Sequence, residues 1–241
     1  MKALPLLLVP AAILAQVPAG LPPGAAVVET QAIPPSVRPN RALILWMLRP
    51  AKHDRGPLAG SNPYTCPEYT RGSYYAGPTR VSLLDTAAKK ILNSVPIHDD
   101  AEDTFDIPYR LEPGHYYAVP GKLTKGEGTP ALLALRDLNG DGQALEAAFF
   151  DAQACMGLPT TLIGYSVKQD KVIQYPVELK NARGKAASRA WVDYLFWEKP
   201  AQAGYWKFDI DYRGRGGTLD SYEVRYDSAA EKFSGTLRQK R

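Results

Sequence analysis

Hydrophobic and polar positions alternate with a period of two in several parts of the chain. The clearest case is Trp206-Lys207-Phe208-Asp209-Ile210-Asp211-Tyr212, where one face is apolar or aromatic and the other charged, so the segment predicts a half-buried strand. Gly214, Gly216 and Gly217 follow and permit a positive-φ turn into Tyr222-Glu223-Val224-Arg225-Tyr226, which alternates in the same sense. Three further stretches read as hairpins, each an apolar run, a short polar turn and a second apolar run. They are Val81 to Asp85 with Ile91 to Val95, Gly164 to Val167 with Val172 to Leu179, and Tyr222 to Asp227 with Lys232 to Leu237. Trp191 to Trp197 adds another strand. Ala42 to Leu48 is continuously apolar, too short for a typical helix and ended by Pro50, which predicts a strand buried on both faces. Residues 51–79, rich in Pro, Gly, Asn and Ser, predict a long irregular connection.

These elements give an all-β fold, a predominantly antiparallel sandwich or barrel of hairpins. A small propeller-like array is the alternative, but the turn centres are irregularly spaced and the chain is too short for six or seven blades. A second alternative is local. Thr129-Pro130 is a good helix start and Ala144 to Met156 is rich in helix formers, which would place a helix-loop-helix around residues 137–148.

The N-terminus changes the compartment. Lys2 followed by the apolar run Ala3 to Ala15 has the form of a secretory signal and is shorter than the roughly twenty residues a membrane span needs. Residues 1–19 are therefore read as a signal peptide, cut after Ala15 or Ala19. Pro18, Pro22, Pro23, Pro34, Pro35 and Pro39 then predict an extended, solvated, proline-rich leader over residues 20–40, before a single β-rich domain over 41–241. The expected location is secreted or periplasmic, in the style of a bacterial exported protein, with no membrane span. In an oxidising compartment Cys66 and Cys155 have one intramolecular pairing open to them, and a disulfide is expected, worth about 2–5 kcal/mol.

Composition narrows the partners. Lysines and arginines number 29 against 25 acidic residues, and this net charge of +4 is spread along the chain, so no nucleic-acid partner is expected. Fourteen tyrosines, 21 prolines and 20 glycines fit strands joined by turns.

One motif carries specific chemistry. Asp137-Leu138-Asn139-Gly140-Asp141-Gly142 has oxygen-bearing side chains at positions one, three and five and glycine at six. Side chains so spaced can face a common centre, and the glycine allows the turn that brings the carbonyl of Gln143 to the same ion. The segment resembles the calcium-binding D-x-N-x-D-G loops of EF-hands and of integrin-type repeat turns. That resemblance covers about a dozen residues and implies calcium as the cofactor. The twelfth position, where an EF-hand has a bidentate glutamate, is Ala148, and the ninth, where the integrin-type turn has aspartate, is Leu145. Glu146 stands one place further on and closes the site if the turn holds an extra residue; Asp151 is a weaker candidate. The expected metal set is thus Asp137, Asn139, Asp141, Gln143 and Glu146. Without a metal, the same residues would form a tight turn holding Leu132 to Leu135 against Ala147 to Phe150.

Other features carry less. His98, Asp99, Asp100, Glu102, Asp103 and Asp106 form an acidic loop, most simply a solvated one. His53 beside Asp54 and His115 beside Tyr116-Tyr117 lack a third partner. Ser166 lies in half a nucleophile elbow, with Lys168 in place of the second glycine, and is rejected as a nucleophile. Tyr74-Tyr75 and Tyr116-Tyr117 offer aromatic surface for a ligand. Two functions follow as expectations. One is an exported non-catalytic module with a calcium loop that binds a glycan or protein; the other is an exported hydrolase using the 98–106 loop with His98 or His115. The first is favoured, and no catalytic residue is assigned.

Overall fold

The computed structural model describes residues 18–54, 73–97, 104–107, 115–119, 122–125, 132–150, 158–189 and 191–241. In chain order the strands are β1 (Ala25–Ala32), β2 (Arg41–Leu48), β3 (Ala51–Asp54), β4 (Ser73–Asp85), β5 (Lys90–Pro96), β6 (Thr104–Ile107), β7 (His115–Val119), β8 (Lys122–Lys125) and β9 (Glu146–Phe150). They continue as β10 (Pro159–Ser166), β11 (Lys171–Gln174), β12 (Val177–Lys180), β13 (Ala186–Arg189), β14 (Trp191–Asp193), β15 (Tyr205–Asp211), β16 (Leu219–Asp227) and β17 (Lys232–Lys240).

The fold is an all-β, mostly antiparallel arrangement of packed sheets. No sheet closes into a barrel and no α-helix occurs among the described residues, so the sandwich is the form adopted. One sheet runs β1-β2-β4-β3 with β5 and β6 also on β4; a second runs β11-β10-β14 with β9 on β10; a third runs β13-β12-β17-β16-β15. β7 and β8 form a separate ribbon. The third sheet has one parallel pair, β12 with β17.

Local pattern accounts for the strands best where one face is buried. In β15, Trp206 is fully buried while Lys207 and Asp209 are exposed, and β16 repeats the alternation through Tyr222 and Val224. Trp206, Phe196 and Phe233 meet edge to face with centroids 5.2–5.6 Å apart, which locks the third sheet to the turn after β14. β2 is buried from Ala42 to Met47, as its apolar run requires. Leu43, Leu45 and Met47 face the main core, whereas Trp46 on the opposite face donates its indole N–H to Ser82 Oγ at 2.7 Å.

The first two sheets are joined by side chains. The Asn93 amide donates to the Val172 carbonyl at 2.7 Å and accepts the Val172 N–H at 3.1 Å, so it pairs with β11 as another strand would. Arg41 grips Asp170 at 3.2 and 3.0 Å and Asp85 at 2.9 Å, and Tyr165 donates to Asp170 at 2.7 Å. These bonds hold the Asp170 carboxyl well below the usual carboxylate range, led by the Arg41 hydrogen bond. Asn93→Ala is expected to destabilise the protein by about 2 kcal/mol, since it strips two main-chain groups of their partners. Urea denaturation checks this, and a loss below about 0.5 kcal/mol would mean that the amide does not bridge the sheets.

Several expectations are corrected. The leader is not wholly solvated: residues 25–32 form β1 against β2, because the prolines flank a proline-free run from Gly24 to Ile33. Ala19, the last residue assigned to the signal, also belongs to the fold; its N–H donates to the Lys89 carbonyl and its carbonyl accepts the Ile91 N–H, both at 2.9 Å. The connection over 51–79 is strand at both ends, in β3 and the start of β4. Val172 to Leu179 is two strands rather than one. Pro176 has no N–H for the ladder, and the chain there leaves β10 and joins β17. Trp191 to Trp197 is a strand only to Asp193, after which Tyr194 takes a positive φ of 58°. The helix-loop-helix around 137–148 is not formed, since β9 pairs with β10, and Leu132 to Leu135 does not form the hairpin partner of 147–150. Only Arg136 bridges Glu146, while the Leu132 and Leu133 N–H groups are both taken by the Glu29 carboxylate at 2.8 Å.

Candidate functional site

The Asp137–Gly142 segment connects Arg136 to β9 and is coiled by its own side chains. Asp137 accepts the N–H of Gly140 at 2.7 Å and of Gly142 at 2.9 Å. Asn139 Oδ1 accepts the Asp141 N–H at 2.9 Å, and Asp141 Oδ1 accepts the Gln143 N–H at 2.8 Å. Each oxygen-bearing side chain therefore folds back over the residues that follow it, which is the local tendency of Asp and Asn in turns. The φ angles of +79° at Gly140 and +85° at Gly142 suit glycine at both places.

Beneath the loop lies Glu146, fully buried as the first residue of β9. Its Oε2 accepts the Leu138 N–H at 3.0 Å and the Asn139 N–H at 3.4 Å. Its Oε1 receives Asn139 Nδ2 at 3.2 Å and the Tyr175 hydroxyl at 3.4 Å. None of these partners is a cation. Burial, reinforced by Asp141 and Asp137 and opposed by the two main-chain N–H groups, pushes the carboxyl up to about 8. Burial also raises the Tyr175 hydroxyl, which faces Glu146.

The expected metal residues thus divide into two groups. Asn139, Asp141 and Glu146 are brought together, with Asn139 Nδ2 lying 3.1 Å from Asp141 Oδ2 as well as 3.2 Å from Glu146. Asp137 is turned to the amides of Gly140 and Gly142, and the Gln143 carbonyl accepts the Leu145 N–H at 3.1 Å. Among the described residues no three His, Cys, Asp or Glu side chains are grouped as a metal would need. The loop offers instead two carboxylates, one amide and main-chain carbonyls, an all-oxygen donor set of the kind hard cations take.

A cleft of ≈ 400 Å³ opens beside the loop. One wall is Asn139, Gly140 and Asp141; the other comes from the Gln202–Tyr205 turn before β15 and from Arg225, Tyr226 and Ser228 at the end of β16. The Arg225 guanidinium lies 3.7 Å from the Tyr205 ring centre, and the Tyr205 hydroxyl donates to Glu223 at 3.2 Å. Tyr226 packs against Tyr175 and Phe233 at 5.9 and 5.1 Å, and burial pushes its hydroxyl up to about 12.

The cleft has no signature in the sequence, because its two walls lie some sixty or more positions apart in the chain. The burial of Glu146 left one trace, a lone carboxylate within Leu145-Glu146-Ala147-Ala148-Phe149. The remaining expectations fall elsewhere. Cys66, Cys155, Asp151 and the acidic stretch from His98 to Asp103 lie outside the described residues, as do residues 1–17 of the signal. Asp106 is on β6 opposite Ala76, His115 on β7 opposite Lys125, and His53 on β3 opposite Tyr74. Ser166 donates to Glu231 Oε1 at 2.5 Å, a tie between two turns. No helix among the described residues is long and apolar enough to cross a membrane. Compared with known proteins, the chain matches no family model, no curated protein and no solved structure.

Proposed function

We propose that this protein is an exported, non-catalytic β-sandwich binding module whose Asp137–Gly142 loop takes a calcium ion. The observation that carries the reading is the coiling of the loop: the side chains at positions one, three and five each accept a main-chain N–H further along the same loop. A loop so wound needs little rearrangement to present oxygens to a hard cation. Asn139 must turn, because its Nδ2 now stands between the carboxylates of Asp141 and Glu146, where its partial positive charge does what a cation would do more strongly. A calcium ion would be held by Asp137, Asn139, Asp141 and the Gln143 carbonyl, with Glu146 below, and would stiffen this wall of the cleft. Export is supported by the N-terminal apolar run, and the hydrogen bonds of Ala19 favour cleavage after Ala15.

Calcium titration followed by calorimetry and thermal melting tests the reading. At about a hundred times its dissociation constant calcium should add about 2.7 kcal/mol to the unfolding free energy, and Asp137→Ala should abolish the gain. An unchanged melting temperature at millimolar calcium would remove the metal site.

A further inference from the structure

We propose that the cleft between the Asp137–Gly142 loop and the start of β15 binds a saccharide, with Arg225 and Gln202 as its principal hydrogen-bonding side chains. This rests on the binding-module reading and names its ligand, but it does not require the metal.

Size comes first. At ≈ 400 Å³ the cleft falls within the range of small-molecule pockets, about 300–1,000 Å³, and it is an open one that suits a ligand remaining partly in water. Lining comes second. An apolar ligand needs a mostly apolar wall, yet the largest aliphatic side chain here is Ala203. A phosphate needs converging cations, whereas Arg225 is the one cationic side chain of the lining and Asp141 faces the same space. What remains is a set of planar polar groups with two tyrosine rings. A guanidinium offers paired donors, a carboxylate paired acceptors and an amide one of each, which suits the neighbouring hydroxyls of a sugar ring.

Preorganisation is the third argument. The Arg225 guanidinium lies 3.7 Å from the Tyr205 ring centre, and the Tyr205 bond to Glu223 holds that ring, so the cation has a fixed support before any ligand arrives. Asp141 is held from behind by the Gln143 N–H and by Asn139 Nδ2, leaving lone pairs on both oxygens. Holding these groups in place before binding lowers the entropy lost on binding.

The test is isothermal titration of the full chain with gluco-, manno-, xylo- and N-acetylated oligosaccharides, and separately with inorganic phosphate, each with added calcium and with chelator. At least one sugar series should saturate, and Arg225→Ala and Gln202→Ala should each weaken it about tenfold or more. Both residues are exposed, so the melting temperatures should hold, and Arg183→Ala in the Asn181–Lys185 turn should leave affinity unchanged. Saturable phosphate binding in place of sugar, no saturable sugar, or sugar binding indifferent to both substitutions would overturn the proposal. Sugar binding without any calcium-dependent melting would sustain it while removing the metal site, and calcium-dependent melting without sugar binding would do the reverse.

Discussion

With chelator present, the unfolding free energy is expected to fall by about 4 kcal/mol as pH rises from about 4.5 to about 8, and Glu146→Gln should remove most of that slope. Glu146 is buried against two main-chain N–H groups, an amide and a phenol, with no cation among these partners, so the folded protein holds its proton where the unfolded chain releases it. The sign follows from linkage. A carboxyl raised on folding contributes stability that is complete below the unfolded value and is lost as pH climbs through the folded one. Asp170 works in the opposite direction. Its carboxyl is depressed by Arg41 and Tyr165, so its contribution is present above the ordinary aspartate range and lost as pH falls below it. Asp193, raised by burial, shares the sign of Glu146 and is unaffected by the substitution. Denaturant titrations at several pH values decide the matter, and an undiminished slope in Glu146→Gln would show that the buried carboxyl is ionised throughout.

What was legible in the chain beforehand was what depends on neighbours in sequence. The alternation of Trp206 to Tyr212 identifies β15 because successive side chains of a strand face opposite ways, and no other part of the molecule is needed to see it. The Asp137 loop was visible for the same reason, its oxygens recurring at alternate positions. Partner choice was not visible. Pro176 marks the break between β11 and β12, but that β12 then runs parallel to β17 depends on what lies across the sandwich, which nothing in Val172 to Leu179 announces. The prolines of the leader suggest one extended solvated segment, although they bracket β1 without entering it. Glu146 was visible as an oxygen near the loop, but its role as buried anchor depends on Tyr175, which arrives from another strand connection.

The contact that joins the loop to the rest of the cleft can be measured through two glycines. Gly204→Ala is expected to destabilise the protein by about 3 kcal/mol or more, and Gly142→Ala by only about 1 kcal/mol. Both glycines have positive φ, +67° and +85°, so alanine meets similar backbone strain at each. They differ in what surrounds them. A Cβ on Gly142 meets nothing within 4 Å, whereas one on Gly204 stands 2.3 Å from the Asn139 carbonyl oxygen. That atom is backbone and cannot rotate away. The turn cannot retreat either, since the Gly204 carbonyl accepts the Tyr226 N–H at 2.9 Å and Tyr205 donates to the Gln202 carbonyl at 2.9 Å. The loop must yield instead, and as Asn139 shifts, the main-chain bonds it and Leu138 make to the buried Glu146 carboxyl are strained or lost. Equal losses in the two variants would mean that the loop does not rest on this turn. A large excess in Gly204→Ala, accompanied by weaker binding in the adjoining cleft, would show that the Asp137 loop and the Arg225 wall act as one unit, because the only residue changed lies between them.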